Sequence, residues 1–136
     1  MLKFLSVIPL GYALCSGSMS APAQEIDPEH AAAALLKNPN PATEQSVAAG
    51  KALFDRWCQA CHGADGKAGL TIGYLKPPPN LTDDEWNYGS TDGEIFDTIQ
   101  YGVPPDYNME SWGERIDESG IWNLVNYIRS LHIPSP

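Results

Sequence analysis

Five consecutive residues, Cys58-Gln59-Ala60-Cys61-His62, restrict this chain's fold and chemistry more than any other feature. Two thiols three positions apart lie on one helical turn, and a histidine follows the second directly. At that spacing each thiol can add to one of the two vinyl groups of a porphyrin, with the histidine beneath the iron as its ligand. The pattern points to one covalently attached haem c. Such a group would also help a small domain, which buries only a modest core by itself. Three other readings of the pair are weaker. A thioredoxin-like redox pair needs an α/β setting, and no segment here alternates with period two for long. Half of a zinc site needs further ligands, yet His30 and His132 stand one in each terminal region. A structural disulfide gives His62 no role.

The 136 residues fit one domain. A formal net charge of −9 excludes a nucleic-acid binder, which needs clustered Lys and Arg. No apolar run reaches the roughly 18–20 residues that span a bilayer. Residues 1–23 read as a cleaved secretory signal: Lys3 is the positive start, Phe4 to Leu14 a short apolar core, and Ala21-Pro22-Ala23 the small-x-small cleavage pattern. The alternatives are a genuine N-terminal helix and a lipid-anchored Cys15. Tyr12-Ala13-Leu14 fits a lipoprotein site poorly, because a small residue belongs just before the Cys. Cleavage after Ala23 removes one base and no acid, taking the formal charge to −10 over 113 residues. Haem c is assembled after export, so leader and motif agree on a periplasmic location.

Residues 24–41 are an acidic, Pro-containing lead-in, and 42–136 form the domain. Within the lead-in, an Asp27 N-cap followed by Pro28 and Glu29 predicts a helix that runs to Lys37 before Asn38-Pro39 stops it. Val47, Gly50, Phe54, Cys58 and Cys61 share one face of a helix over 42–61. Gly50 costs that helix about 1 kcal/mol relative to Ala, which implies close approach by another element. Residues 63–80 form a loop. Capping-box spacing from Thr82 to Glu85 predicts a short helix through Trp86, and from Thr91 to Glu94 a longer one ended by Gly102. A loop over 103–115 precedes a last helix from an Asp117 N-cap to about Leu131, whose apolar stripe is Ile121, Leu124, Val125, Ile128 and Leu131. The fold class is all-α, three to five short helices around one haem.

A sixth iron ligand is approached by elimination. His30 and His132 lie towards the ends of the chain, where surface positions are commoner. Met109 sits in a Pro-bearing loop, is the sole methionine after the leader, and has room to reach the opposite haem face. Core packing is the alternative for Met109. Ligation by a soft thioether would favour reduced iron and raise its potential.

These blocks together resemble the class I monohaem cytochromes c over about residues 45–131. The resemblance rests on Gly50-Lys51-x-Leu53-Phe54-x3-Cys58-x2-Cys61-His62-Gly63, on Pro77-Pro78-Pro79-Asn80-Leu81-Thr82, on Met109 with Trp112-Gly113, and on Ile121-Trp122-x2-Val125-x-Tyr127-Ile128-x2-Leu131. It implies a crossing of the first and last helices, Gly50 and Phe54 against Tyr127. It implies that a proline carbonyl, from Pro78 or Pro79, holds the His62 ring, with Pro79 and Leu81 as candidate haem contacts. Two departures stand out: Glu110 follows Met109 where family members often have Pro, and Gly120 occupies a capping-box position suited to an acid.

The resemblance implies single-electron transfer by a monomer rather than catalysis. Asp83, Asp84, Glu85, Asp92, Glu94 and Asp97 make the central region acidic. That is either a solvated face or a means of steering towards a basic patch on a periplasmic redox partner. Similar acidic cytochromes accept electrons from quinoprotein alcohol dehydrogenases or serve as modules of oxidases. The alternatives are a haem enzyme or gas-binding protein with a labile sixth ligand, and a module of a larger complex that docks through the 28–37 helix and the tryptophans.

Overall fold

The computed structural model describes residues 28–68 and 77–132, with side chains from residue 31 onward. The leader with Cys15, the Asp27 cap and the His30 side chain lie outside these residues. The regular secondary structure among the described residues is helical, with no strand. Helix α1 is Pro28–Ala33, α2 Glu44–Leu53, α3 Gln59–His62, α4 Asp92–Tyr101 and α5 Glu118–Leu131.

The α2–α5 crossing organises the core. Thr43 caps α2 by accepting from the Ser46 N–H, and Asp117 caps α5 by accepting from the Gly120 N–H at 2.7 Å. A Cβ at Gly50 would lie 2.0 Å from the Asn123 carbonyl oxygen and 2.9 Å from the Tyr127 Cβ. Only glycine lets the two backbones meet there, which is the packing reason for its helical cost. Phe54, one turn on, is fully buried and sets its ring 5.1 Å from that of Tyr127. Ile121, Leu124 and Val125 complete the buried face of α5. Gly120 has no room for the capping-box acid, because a Cβ there would press on Ile116 and Leu53.

Helix α4 has the expected capping box, Thr91 with Glu94, and ends at Gly102, whose φ is +75°. It packs Ile95, Phe96 and Ile99 inward, with Phe96 stacked on Trp122 of α5 at 4.2 Å. Helix α1 lies on α4, so close at Gly93 that a side chain there would overlap the Ala33 carbonyl.

Two expected helices are corrected. The first ends at Ala33, not Lys37, and closes through turns in which Leu35 and Leu36 donate to the Ala32 and Ala33 carbonyls. No helix forms over 82–86. Asn80 Oδ1 accepts from the Thr82 N–H at 3.0 Å and Asp83 Oδ1 from the Glu85 N–H at 3.0 Å. These local side-chain bonds offer the backbone an alternative to the helix.

The lead-in is fastened to the domain through asparagines. Asn38 donates to the Trp122 carbonyl and to Asn126 Oδ1, and Asn40 donates to the Ser119 carbonyl and to Asn123 Oδ1. Asn126, buried in α5, donates in turn to the Asn40 carbonyl and to Ser46 Oγ.

Candidate haem site

The motif ends a helical run that changes pitch on the way. Residues Phe54–Cys58 form a π-helical turn between α2 and α3. The wider turn interrupts the 3.6-residue period before Cys61. Gly63, at φ +77°, stops α3. The chain then folds back, with Ala68 N–H on the His62 carbonyl and Leu81 N–H on the Gly66 carbonyl at 2.8 Å. That second bond brings the Pro77–Thr82 stretch beside the motif.

Two opposed effects act on His62. Burial lowers its pKa, while the Pro79 carbonyl favours the protonated ring and pulls the other way. Its Nδ1 is enclosed yet makes no full hydrogen bond. Between Pro78 and Pro79, Pro79 is therefore the residue that faces the ring. Leu81 is buried in the adjoining core. The Cys58 thiol is pushed up to about 12 by burial, with Cys61 adding to the rise. Both thiols are free. Among the described residues, no group of three His, Cys, Asp or Glu side chains is placed to hold a bare metal ion.

Met109 lies in the 103–115 loop, half-buried against the same core. Its carbonyl accepts from Val103 N–H at 2.9 Å, and Trp112 N–H donates to the Ile99 carbonyl at 3.0 Å. The loop is thus pinned to the end of α4. Trp112 meets Trp57, the residue before Cys58, with ring centres 5.6 Å apart. Sequence reasoning missed this link between motif and loop; the adjacency of Trp57 to Cys58 was the available signal. Two free thiols, an enclosed imidazole and a thioether packed against the same core are a donor set that fits haem c, and the aromatic and aliphatic surroundings suit a porphyrin.

The other candidates are placed elsewhere. His132, at the end of α5, has Nε2 3.3 Å from Asp84 Oδ1. Asp83 closes a turn, Glu94 caps α4, and Asp92 pairs with Arg129 at 2.7 Å. Much of the acidic stretch is thus engaged in local structure. The tryptophans do not form an exposed surface either: Trp112 and Trp122 are buried, Trp57 and Trp86 half-buried.

Residues 45–128 match the family model for cytochrome c oxidase, cbb3-type, subunit III. The chain belongs to this family. Curated relatives within it include the cbb3-type cytochrome c oxidase subunit CcoP of Rhodobacter capsulatus, 36% identical over 67% of this chain and 31% of the relative. The FixP subunit of Bradyrhizobium diazoefficiens is 38% identical over 62% of this chain and 27% of the relative. The chain spans about a third of the length of the curated relatives it matches. Among solved structures, cytochrome cL of Methylophaga aminisulfidivorans superposes with a TM-score of 0.58 at 26% identity, covering 69% of this chain and 61% of that one. The reducing HAO-like protein complex of Kuenenia stuttgartiensis shares the fold at a TM-score of 0.60 and 21% identity, over 72% of this chain and 50% of that one. The chain is a c-type cytochrome with the all-α cytochrome c fold, which implies haem c with its iron.

Proposed function

We propose that this chain is a single-haem electron-transfer domain that serves a cbb3-type terminal oxidase from the periplasmic side. One observation carries the reading: the Cys58–His62 motif closes the α2–α3 run inside the segment that matches the oxidase-subunit family. When bound, haem iron supplies one-electron ferric–ferrous chemistry. Cys58 and Cys61 would hold the group through thioethers, and His62 and Met109 would ligate its iron. The Pro79 carbonyl, which faces the ring, would accept from the His62 Nδ1–H once the group is bound, orienting the ring and leaving Nε2 as the ligating nitrogen. Leu81 packs beside it. Two protein ligands leave no position for a substrate, so the domain carries electrons and transforms no small molecule. The leader-like residues 1–23 support export.

Optical spectra test the site. A low-spin spectrum with a weak red sulfur-to-iron band, and no shift when carbon monoxide is added to the reduced form, is expected. A high-spin spectrum or ready carbon monoxide binding would overturn it in favour of a gas-binding or catalytic haem protein. Oxygen uptake by a purified cbb3-type oxidase, supplied with the reduced protein, tests the partner. No stimulation above the oxidase alone would remove the oxidase from the proposal.

A further inference from the structure

We propose that Arg115 is a positioning residue for Met109, with Glu110 as its anchor; the inference rests on Met109 being the sixth ligand. The inner side of residues 109–113 is tied to α4. Ser111 Oγ and Gly113 N–H donate to the Gln100 carbonyl at 3.0 and 3.2 Å, beside the Val103 and Trp112 bonds described above. Across the other side reaches one side chain. Arg115 Nη1 lies 2.8 Å from Glu110 Oε2, and its guanidinium sits 5.1 Å from the centre of the Trp112 ring. Trp112 in turn touches Trp57, next to Cys58. Arg115 thus joins the neighbour of the ligand residue to the aromatic pair that reaches the haem motif.

Local backbone geometry makes this possible. Arg115 and Ile116 N–H both donate to the Trp112 carbonyl at 2.9 Å, closing a turn. From that turn the side chain reaches back over Trp112 towards Glu110. Glu110 is not a proline, so its own φ is not locked, and the ion pair restrains the segment from outside. The guanidinium and carboxylate side chains are 52% and 55% exposed, so the restraint weakens with salt. The stack on Trp112, a buried ring, is the salt-resistant part.

The test uses the haem-loaded protein and four forms: wild type, Arg115→Met, Arg115→Lys and Glu110→Gln. The readouts are the rate of carbon monoxide binding to the reduced form and the temperature at which the red band fades. Arg115→Met is expected to bind carbon monoxide about tenfold faster and to lose the band at lower temperature. Glu110→Gln should move the same way by less, with Arg115→Lys between it and wild type. Raising salt should move wild type towards Glu110→Gln and leave Arg115→Met unmoved. Rates within about twofold of wild type in every variant, with the band unchanged, would overturn the proposal. Absence of the red band in wild type would instead overturn Met109 ligation itself, and the positioning role with it. Should Arg115→Met fail to load haem, Glu110→Gln, an exposed and isosteric change, decides the question alone.

Discussion

Gly50 shows how one residue ties sequence to fold. Its position inside a helix is costly, and the compensation is visible only where α5 crosses it. The obstacle to a side chain is backbone, the Asn123 carbonyl, which cannot rotate away. Gly50→Ala is therefore expected to destabilise the domain by about 3 kcal/mol. A lower urea midpoint with unchanged slope would show it; an unchanged midpoint would mean the helices are not in this contact. The surface pair Lys51–Asp55, four residues apart on the same helical run, is the contrasting case. Both side chains stand in solvent, which screens the pair, so Lys51→Ala should leave the midpoint where it is in the same assay.

Elements are held by different means in the two halves. Helix α4 depends on local chemistry, since Thr91 and Glu94 satisfy each other's backbone donors. Thr91→Ala should cost about 1 kcal/mol in chemical denaturation. The lead-in and α1 depend on tertiary hydrogen bonds. Asn126→Ala removes an acceptor from Asn38 and donors to Ser46 and the Asn40 carbonyl, all in a part-buried setting. A loss of about 2 kcal/mol is expected. Hydrogen exchange should show residues 31–36 losing protection first, before α4 or α5. If those residues kept wild-type protection, the asparagines would not be what fastens α1.

At the scale of the whole molecule, a charge of −9 sits on a surface where several carboxylates already have local partners. The long-range field remains even so, because a paired charge still contributes to the net. Electron-transfer rates with a basic partner should fall several-fold between low and physiological salt. A flat salt profile would remove electrostatic steering. Haem removal is the second test at this scale. Near-UV circular dichroism of the haem-free chain should lose its tertiary signal, since Trp57, Cys58 and Met109 pack only partly buried against the core and a domain this small has little core to spare.

Local patterns were legible in the residues alone. The motif, the Thr91 box, the Asp117 cap, the Gly102 stop and the stripe of α5 each depend on neighbours a few positions apart, and each was readable without a fold. The all-α class came from them. What failed was decided by competition or by distance. The 82–86 box lost to Asn80 and Asp83, whose side chains bond the same backbone in a non-helical turn. The π turn at Phe54–Cys58 broke a face that 3.6-residue periodicity carries straight through Cys61. Which proline faces His62, how the asparagines fasten α1, and how Arg115 bridges Glu110 to Trp112 all depend on chain segments meeting in space. No spacing rule encodes such meetings, because hydrogen-bond and packing partners distant in sequence become neighbours only after the helices have crossed.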